Sequence, residues 1–353
     1  MGLMKALAVR PRVAKSARVV DIPRPDPKPG EVLVEVVEVG ICGTDAEIGG
    51  GLYGEAPQGE DLLVLGHEIL GRLENGDLVV PMVRRPCARC PHCKAGSQDM
   101  CDSGEFTERG IKAVHGGLCE HFTETPSMLI AIPPAARAYA VLLEPMSVVA
   151  KGLRHTLMIQ KRLDWRSRRA LVLGAGPIGL LATLTLRMLG WEVVTAARRA
   201  ATSEKARITR AAGARYHSVA EVPLVDMARD QAPFDLVFEA TGSAQAAFDS
   251  IQLLAVNGVL CLTSVTGGSQ SHPIPIDRLN CEIVLGNKLI FGTVNAGRGD
   301  FIEGLSYLER IDAAFPGLLG SLLTGRVSFE DADRLFEIQK NGIKTVFAVS
   351  AAG

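Results

Sequence analysis

The spacing of apolar and polar positions changes character once along the chain, near residue 150. Before that point the apolar runs are short and β-branched. "EVLVEVVEVG" (31–40) sets charges on alternate positions near its start, the pattern of a strand. "HEILGRLENGDLVVP" (67–81) predicts two short strands turned at Asn75-Gly76, the residue pair that best tolerates the backbone of a tight hairpin. Residues 86–117 hold no period. Glycine, proline and cysteine crowd them into a long irregular segment, and such a loop inside a compact domain needs a staple or a function.

Beyond residue 150 apolar strands alternate with helical stretches. "RALVLGAG" is a strand running into glycines, and "PIGLLATLTLRMLG" is a helix with Pro177 in its first turn and Gly190 closing it. "WEVVTAA", "FDLVFEATG", "NGVLCLTSV" and "NKLIFGTVN" (287–295) supply four more strands. This alternation predicts a parallel sheet with helices on both faces. Residues 297–353 mix helix with the closing strand "KTVFAVS" and are expected to fold back onto the first part. A chain of 353 residues is long enough for two domains, expected here at 1–149, completed by 297–353, and at 150–296.

Composition narrows the class. The formal net charge is −1 and 22% of residues are charged, so there is no electrostatic footprint for nucleic acid or an anionic membrane. No apolar run reaches the roughly eighteen residues of a membrane span, and "MGLMKALAVRPRVAK" is not the pattern of a signal peptide. The expected location is cytoplasmic, where thiols are reduced or metal-bound.

Four of the eight cysteines fall within 87–101. Cys87, Cys90, Cys93 and Cys101 have the spacing C-x2-C-x2-C-x7-C, and four thiolates saturate a tetrahedral zinc. With no position left for water or substrate, this ion is expected to be structural. Cys119, Cys261 and Cys281 lie in apolar or strand-like contexts and are expected to be buried. Candidates for a second, open metal site are Cys42 in "GICGTDAE", His67 and Glu68 in "LGHE", and Glu144 in "LLEPMS". Singly, each has an ordinary structural explanation. Together, upstream of a nucleotide fold, they point to a catalytic metal.

"GAGPIG" supplies Gly174, Gly176 and Gly179 after a strand, with Pro177 and Ile178 opening the helix that follows. In that context G-x-G-x-x-G is a dinucleotide fingerprint: the glycines permit the turn, the approach of pyrophosphate and close helix–sheet packing. An NAD-binding chain carries Asp or Glu at the end of the second strand. Here Ala197 is followed by Arg198 and Arg199, which removes repulsion of a 2′-phosphate and offers guanidinium groups to grip it. NADP is therefore the preferred cofactor, with NAD tolerated. Thr241 and Gly242, in "EATGS", fall where the next strand should border the nicotinamide side.

The order "GICGTD", "GHE", the four-cysteine lobe and "GAGPIG" resembles the zinc-dependent medium-chain dehydrogenases/reductases along nearly the whole chain. "VPMVRRPC", "FTERGI", "HGGLCEHF", "LLEPMSVVAKG" and "NKLIFGTVNAG" are similar to its glucose (aldose) 1-dehydrogenase branch. The resemblance implies an α/β chain: a β-rich, GroES-like split barrel built from both ends, and a doubly wound Rossmann sheet inserted between them. It implies two zinc ions per chain. By this likeness Cys42, His67 and Glu144 hold the catalytic zinc, and Glu68 approaches it or gives way to water. Thr44 relays the substrate proton, Glu120 and Asn295 read the sugar with Thr44 and Glu144, and Val294 and Asn295 border the cofactor. Val83 stands where some relatives place a polar residue, which weakens strict selection of glucose.

The implied activity is oxidation of a cyclic aldose at C1 to the lactone, in a homodimer or homotetramer joined through the nucleotide-binding domain. Two rivals stand beside it: a zinc polyol or secondary-alcohol dehydrogenase on the same fold, and a noncatalytic NADPH-binding redox sensor.

Overall fold

The computed structural model describes residues 2–166, 168–231, 233–266, 271 and 273–350. The chain divides into two compact units, Met1–Ser147 with Asn295–Leu308 and Gly320–Gly353, and Val148–Val294 with Glu309–Leu319. Residues 309–319, expected with the first domain, group with the second, because the helix Arg298–Ala314 continues out of the first unit's stretch before the chain returns.

The first unit is organised around the strand Val32–Ile41, whose residues from Val36 onward are all buried. It lies inside a seven-stranded sheet. Glu68–Arg72 pairs with it on one side and Lys344–Ala348 on the other, both antiparallel, and His121–Glu124 pairs with its first half. The hairpin expected at 67–81 forms from Glu68–Arg72 and Leu78–Pro81. Gly76 takes φ +89, and the Asn75 side chain accepts from the Asp77 N–H at 3.1 Å. Leu7, Val9, Val34, Val39, Ile41, Leu65, Ile69 and Phe347 fill the core beneath. Each such side chain contributes roughly 1.5–3 kcal/mol by leaving water.

The segment 86–117 is less irregular than its composition suggests. It holds a short helix, Pro91–Lys94, and, with Arg84–Arg85, a small sheet that includes Thr107–Arg109 and Ala113–Val114. Buried charge holds it together. Arg109 donates to Glu124 Oε2 at 2.7 Å and to the His115 carbonyl at 3.0 Å; Arg84 donates to Glu108 Oε1 at 3.0 Å and to the Asp99 carbonyl at 3.0 Å. Polar ties of this kind leave no hydrophobic period to read.

The second unit is a six-stranded, wholly parallel sheet. Its order is Arg215–Ser218, Glu192–Ala197, Arg169–Leu173, Phe234–Glu239, Leu254–Leu262, Leu289–Gly292. Strand order reverses between Arg169–Leu173 and Phe234–Glu239, and in such sheets ligands bind beyond the carboxyl ends of the strands at that reversal. Among the described residues no helix is long and apolar enough to cross a membrane.

Phe347 is fully buried and meets Phe329 edge-to-face at 5.0 Å. Phe347→Ala is expected to cost about 3–5 kcal/mol in urea unfolding of the chain; a loss below about 1 kcal/mol would show that the closing strand does not anchor this core.

Candidate metal and cofactor sites

The register of the central sheet builds the first site. Val32–Ile41 ends immediately before Cys42, which caps the short helix Gly43–Gly49. Gly40 pairs with Glu68 across one edge and with Val346 across the other, so Glu68 and Lys344 meet at the same strand end. A Cβ on Gly40 would collide with Glu68 Oε2, so only glycine lets that carboxylate turn into the site. Ligand atoms of Cys42, His67 and Glu68 all lie within 4.8 Å of one another. His67 is 4% exposed and Glu68 1%. Glu144, in the first turn of the helix Leu143–Gln160, is not part of that cluster.

Glu144 nevertheless feels the same charges. Burial pushes its carboxyl up to about 7, with His67 opposing the shift and Glu68 adding to it. A thiol, an imidazole and buried carboxylates at this spacing match the donor set of a zinc ion, whose charge would keep both glutamates ionised.

Two residues outside the predicted set complete the site. Asp45, fully buried, accepts from the Cys42 N–H at 2.9 Å and the Gly66 N–H at 3.0 Å, and its Oδ1 lies 3.6 Å from His67 Nδ1. Burial works to raise its pKa, but His67 and the two backbone donors hold it below the usual carboxylate value. At that distance Asp45 acts on His67 through charge, and Nδ1 itself has no hydrogen-bond partner among the described residues. Lys344, 1% exposed, donates to Glu68 Oε1 at 2.7 Å, to Oε2 at 2.5 Å and to the Ile41 carbonyl at 3.1 Å. Burial opposes its charge, and Glu68 more than restores it, so its pKa rises above the ordinary lysine value. Asp45 was visible in "GTD" but has no ligand spacing of its own, and nothing in "KTVFAVS" marks Lys344 before the strand register is known.

The second metal group is Cys87, Cys90, Cys93 and Cys101, again within 4.8 Å. Backbone N–H groups of Cys90 and Cys93 point at the sulfurs of Cys87 and Cys90, both at 3.4 Å, and Cys101 Sγ lies 3.3 Å from Ser103 Oγ. Hydrogen bonds from Ser103, Cys90 and Arg89 lower Cys87 to about 5, whereas burial raises Cys93 to about 12. Four sulfurs this close ionise together only around a cation, and the fourfold thiolate set fits a closed zinc site. His92 turns away to within 3.6 Å of Asp102, about half exposed.

In the second unit the fingerprint glycines do separate work. A Cβ on Gly174, at φ +102, would strike the Ala240 carbonyl, and one on Gly179 would strike the Gly174 carbonyl. Gly176 has nothing within 4 Å of its would-be Cβ; it caps the helix Pro177–Met188, which has no side-chain cap for its first N–H groups. That open, donor-rich helix start is what a pyrophosphate occupies. Arg198 and Arg199 are exposed just past the strand Glu192–Ala197. Lys205 is half-buried beside them; burial and the Arg199 and Arg198 charges depress its pKa. Gly242 takes φ +68, and Thr241 donates both its N–H and its hydroxyl to Glu239 Oε1 at 2.6 Å. Val294 presents its carbonyl to the buried Lys151 ammonium at 3.0 Å.

Comparison with known proteins decides what this pairing of sites belongs to. Residues 137–349 match the glucose dehydrogenase C-terminus family and residues 28–134 the alcohol dehydrogenase GroES-like domain. Glucose 1-dehydrogenase of Methanocella arvoryzae is 45% identical over 99% of this chain and 100% of its own length, and that of Thermoproteus tenax is 38% identical over 98% and 99%. A Haloferax mediterranei glucose dehydrogenase, solved in complex with NADP, Zn and gluconolactone, superposes with a TM-score of 0.92 at 33% identity, covering 99% of this chain and 100% of that one. The chain belongs to the zinc-dependent medium-chain dehydrogenases/reductases, in the glucose 1-dehydrogenase branch.

The remaining residues singled out by likeness to that family are placed as follows. Thr44 is the second residue of the helix that follows Cys42, its Oγ1 3.8 Å from Cys42 Sγ. Glu120 accepts from the Lys5 N–H at 3.3 Å. Asn295 takes φ +59 and donates from Nδ2 to Glu108 Oε1 at 2.5 Å, on the same carboxylate that Arg84 grips. Val83 is buried at 3% exposure, its carbonyl accepting from the Arg109 N–H. Cys119 and Cys261 are buried as expected. Cys281 is exposed, because its helix Ile276–Leu285 also leaves Ile276, Val284 and Leu285 uncovered in the single chain.

Lys344→Met would leave Glu68 as an unpaired buried carboxylate. The expected loss is about 3–5 kcal/mol in chemical unfolding; unchanged stability would show that the ion pair does not hold the strand end.

Proposed function

We propose that this family member oxidises the C1 hydroxyl of a cyclic aldose, with glucose as the reference substrate, to the lactone, and passes the hydride to NADP. The observation that carries the reading is the joint presence of the buried Cys42–His67–Glu68 cluster and an uncapped dinucleotide fingerprint, in a chain alignable end to end with glucose 1-dehydrogenases.

Cys42, His67 and a glutamate, Glu68 or Glu144, would hold the metal. A zinc ion there supplies Lewis acidity at the C1 oxygen, and NADP supplies the hydride acceptor. Asp45 sets the charge beside the imidazole, and Lys344 keeps Glu68 at hand without leaving its charge uncompensated. Thr44, next to the cluster, would take the hydroxyl proton at Oγ1. Glu120 and Asn295 would read the sugar's other hydroxyls, and the Glu108 contact pins the Asn295 amide for that task. Cys87, Cys90, Cys93 and Cys101 would hold a structural zinc that clasps 86–117. Thr241, Gly242 and the Val294 carbonyl, fixed by Lys151, would border the nicotinamide.

Three cations, Arg198, Arg199 and Lys205, crowd one turn, and that arrangement is relieved by an anion such as the 2′-phosphate. We also read the enzyme as a homodimer or homotetramer. Among the described residues the edge strand Leu289–Gly292 has no outer neighbour in its sheet, Ile290 is 39% exposed, and the helix Ile276–Leu285 shows Ile276, Val284 and Leu285 to solvent. Eight free cysteines, four of them in a metal cluster, fit the reducing cytoplasm.

Initial rates on D-glucose, D-galactose, D-xylose and sorbitol with each cofactor test the substrate class: sorbitol preferred over every aldose would overturn it. Arg198→Ala/Arg199→Ala is expected to lower kcat/KM for NADP by about 10- to 100-fold while NAD is little affected, the size of a lost charge-assisted contact or two. An unchanged NADP/NAD ratio would sink the 2′-phosphate assignment.

A further inference from the structure

The Glu108 carboxylate is the meeting point of three parts of the catalytic unit. Its Oε1 accepts from Asn295 Nδ2 at 2.5 Å and from Arg84 Nε and Nη2 at 3.0 and 2.9 Å. Arg84 stands opposite Glu108 in an antiparallel strand pair, and its Nη1 donates to the Asp99 carbonyl at 3.0 Å. Asp99 belongs to the short helical turn Gln98–Met100, which runs straight into Cys101. That turn touches the Asn295 segment a second time: a Cβ on Gly297 would come within 2.9 Å of Asp99 Oδ1.

The backbone under Glu108 is fixed as well. Its N–H donates to the Lys112 carbonyl at 2.9 Å, and the Lys112 N–H returns to its carbonyl at 2.8 Å. Gly110, at φ +73 inside this turn, packs so closely on Gly66 that a Cβ there would strike the Gly66 carbonyl. The Glu108 and Arg84 side chains are only 12% and 9% exposed, so water competes little for the bonds between them.

We propose that Glu108 is a positioning residue that decides which end of the Asn295 amide meets the sugar, and that Arg84 makes this orientation depend on the four-cysteine lobe. The proposal deepens the reading of Asn295 as a sugar-binding residue and rests on it. An asparagine amide has a donor end and an acceptor end of nearly equal shape, and either orientation fits the same space. An ionised carboxylate only accepts, so Glu108 holds the Nδ2 end and repels the oxygen. Oδ1 is thereby kept for a hydroxyl that donates. Arg84 in turn holds the carboxylate, and its bond to the Asp99 carbonyl carries the position of the lobe to the amide. The lobe then bears on sugar recognition, not only on the stability of its own loop.

The test uses the zinc-loaded full chain with glucose and NADP. Glu108→Gln keeps the shape but offers an amide that can donate to Oδ1 and so turn Asn295 round. It is expected to lower kcat/KM for glucose by about 10-fold, the size of one misdirected hydrogen bond, mostly through the sugar KM. Arg84→Gln, which releases the carboxylate from the lobe, should raise the same KM by about 3- to 10-fold. Two readouts separate positioning from a merely structural role. Added to Asn295→Ala, neither substitution should cost anything further in kcat/KM. Across deoxyglucoses that each lack one hydroxyl, the Glu108→Gln deficit should vanish on the sugar missing the hydroxyl that Oδ1 reads and persist on the others.

Losses that add in the double variants, or that are equal on every deoxy sugar, would overturn the positioning role. Wild-type kinetics in Arg84→Gln would overturn the link to the lobe. Should Arg84→Gln fail to fold, Cys93→Ser, which opens the lobe without touching Glu108, decides that link by the same KM and the same test against Asn295→Ala. An Asn295→Ala protein with wild-type kinetics on glucose would defeat the reading beneath the proposal. A deficit in Asn295→Ala with none in Glu108→Gln defeats the proposal alone.

Discussion

Five ionisable side chains packed at the end of one buried strand set the terms for the whole catalytic unit. Asp45, His67, Glu68 and Lys344 are nearly out of water, and Cys42 stands beside them. Groups like these are tolerated inside a protein only when their charges balance. One ammonium stands against two carboxylates, and although burial works to lower the pKa of His67, Asp45 raises it well above the ordinary imidazole value, so the cluster favours positive charge at this point. A zinc ion held here would supply positive charge and keep Glu144, whose carboxyl burial pushes up to about 7, ionised. The site's chemistry and its stability thus come from one electrostatic balance.

The fold serves that balance by bringing distant sequence together. Cys42 and Asp45 come from the cap and first turn of the helix that follows the central strand, His67 and Glu68 from the start of the strand on one side, and Lys344 from the last strand on the other. Gly40 clears the space between them. The four-cysteine cluster answers a different need: with an ion its shell would be closed, and it would clasp a segment otherwise held by Arg84 and Arg109. An ion held by Cys42, His67 and Glu68 would keep an open position for chemistry, whereas one held by the four thiolates would have none.

Much of this was legible in sequence, and the limits have physical causes. The strands and helices of the nucleotide-binding unit announce themselves by period, and "GAGPIG" by its context between strand and helix. The gathering of Cys87, Cys90, Cys93 and Cys101 is readable from spacing alone, since the four are local. Lys344 was not, because its meaning depends on register with a strand about three hundred residues earlier, and one-letter patterning carries no register across such a distance. Asp45 supports a ligand without resembling one. Glu68 and Glu144 were both candidates from the residues, and the structure groups Glu68 with Cys42 and His67. Cys281 misled because an apolar helix was taken for a buried one, when in the single chain its apolar side is left uncovered.

The most direct test of the electrostatic account is zinc counted per chain by native mass spectrometry, in wild type and in Cys42→Ala. The account predicts about two ions in the wild type and about one in the variant, with the four-thiolate ion retained and glucose oxidation abolished. A Cys42→Ala protein that keeps both ions and turns over glucose would contradict it.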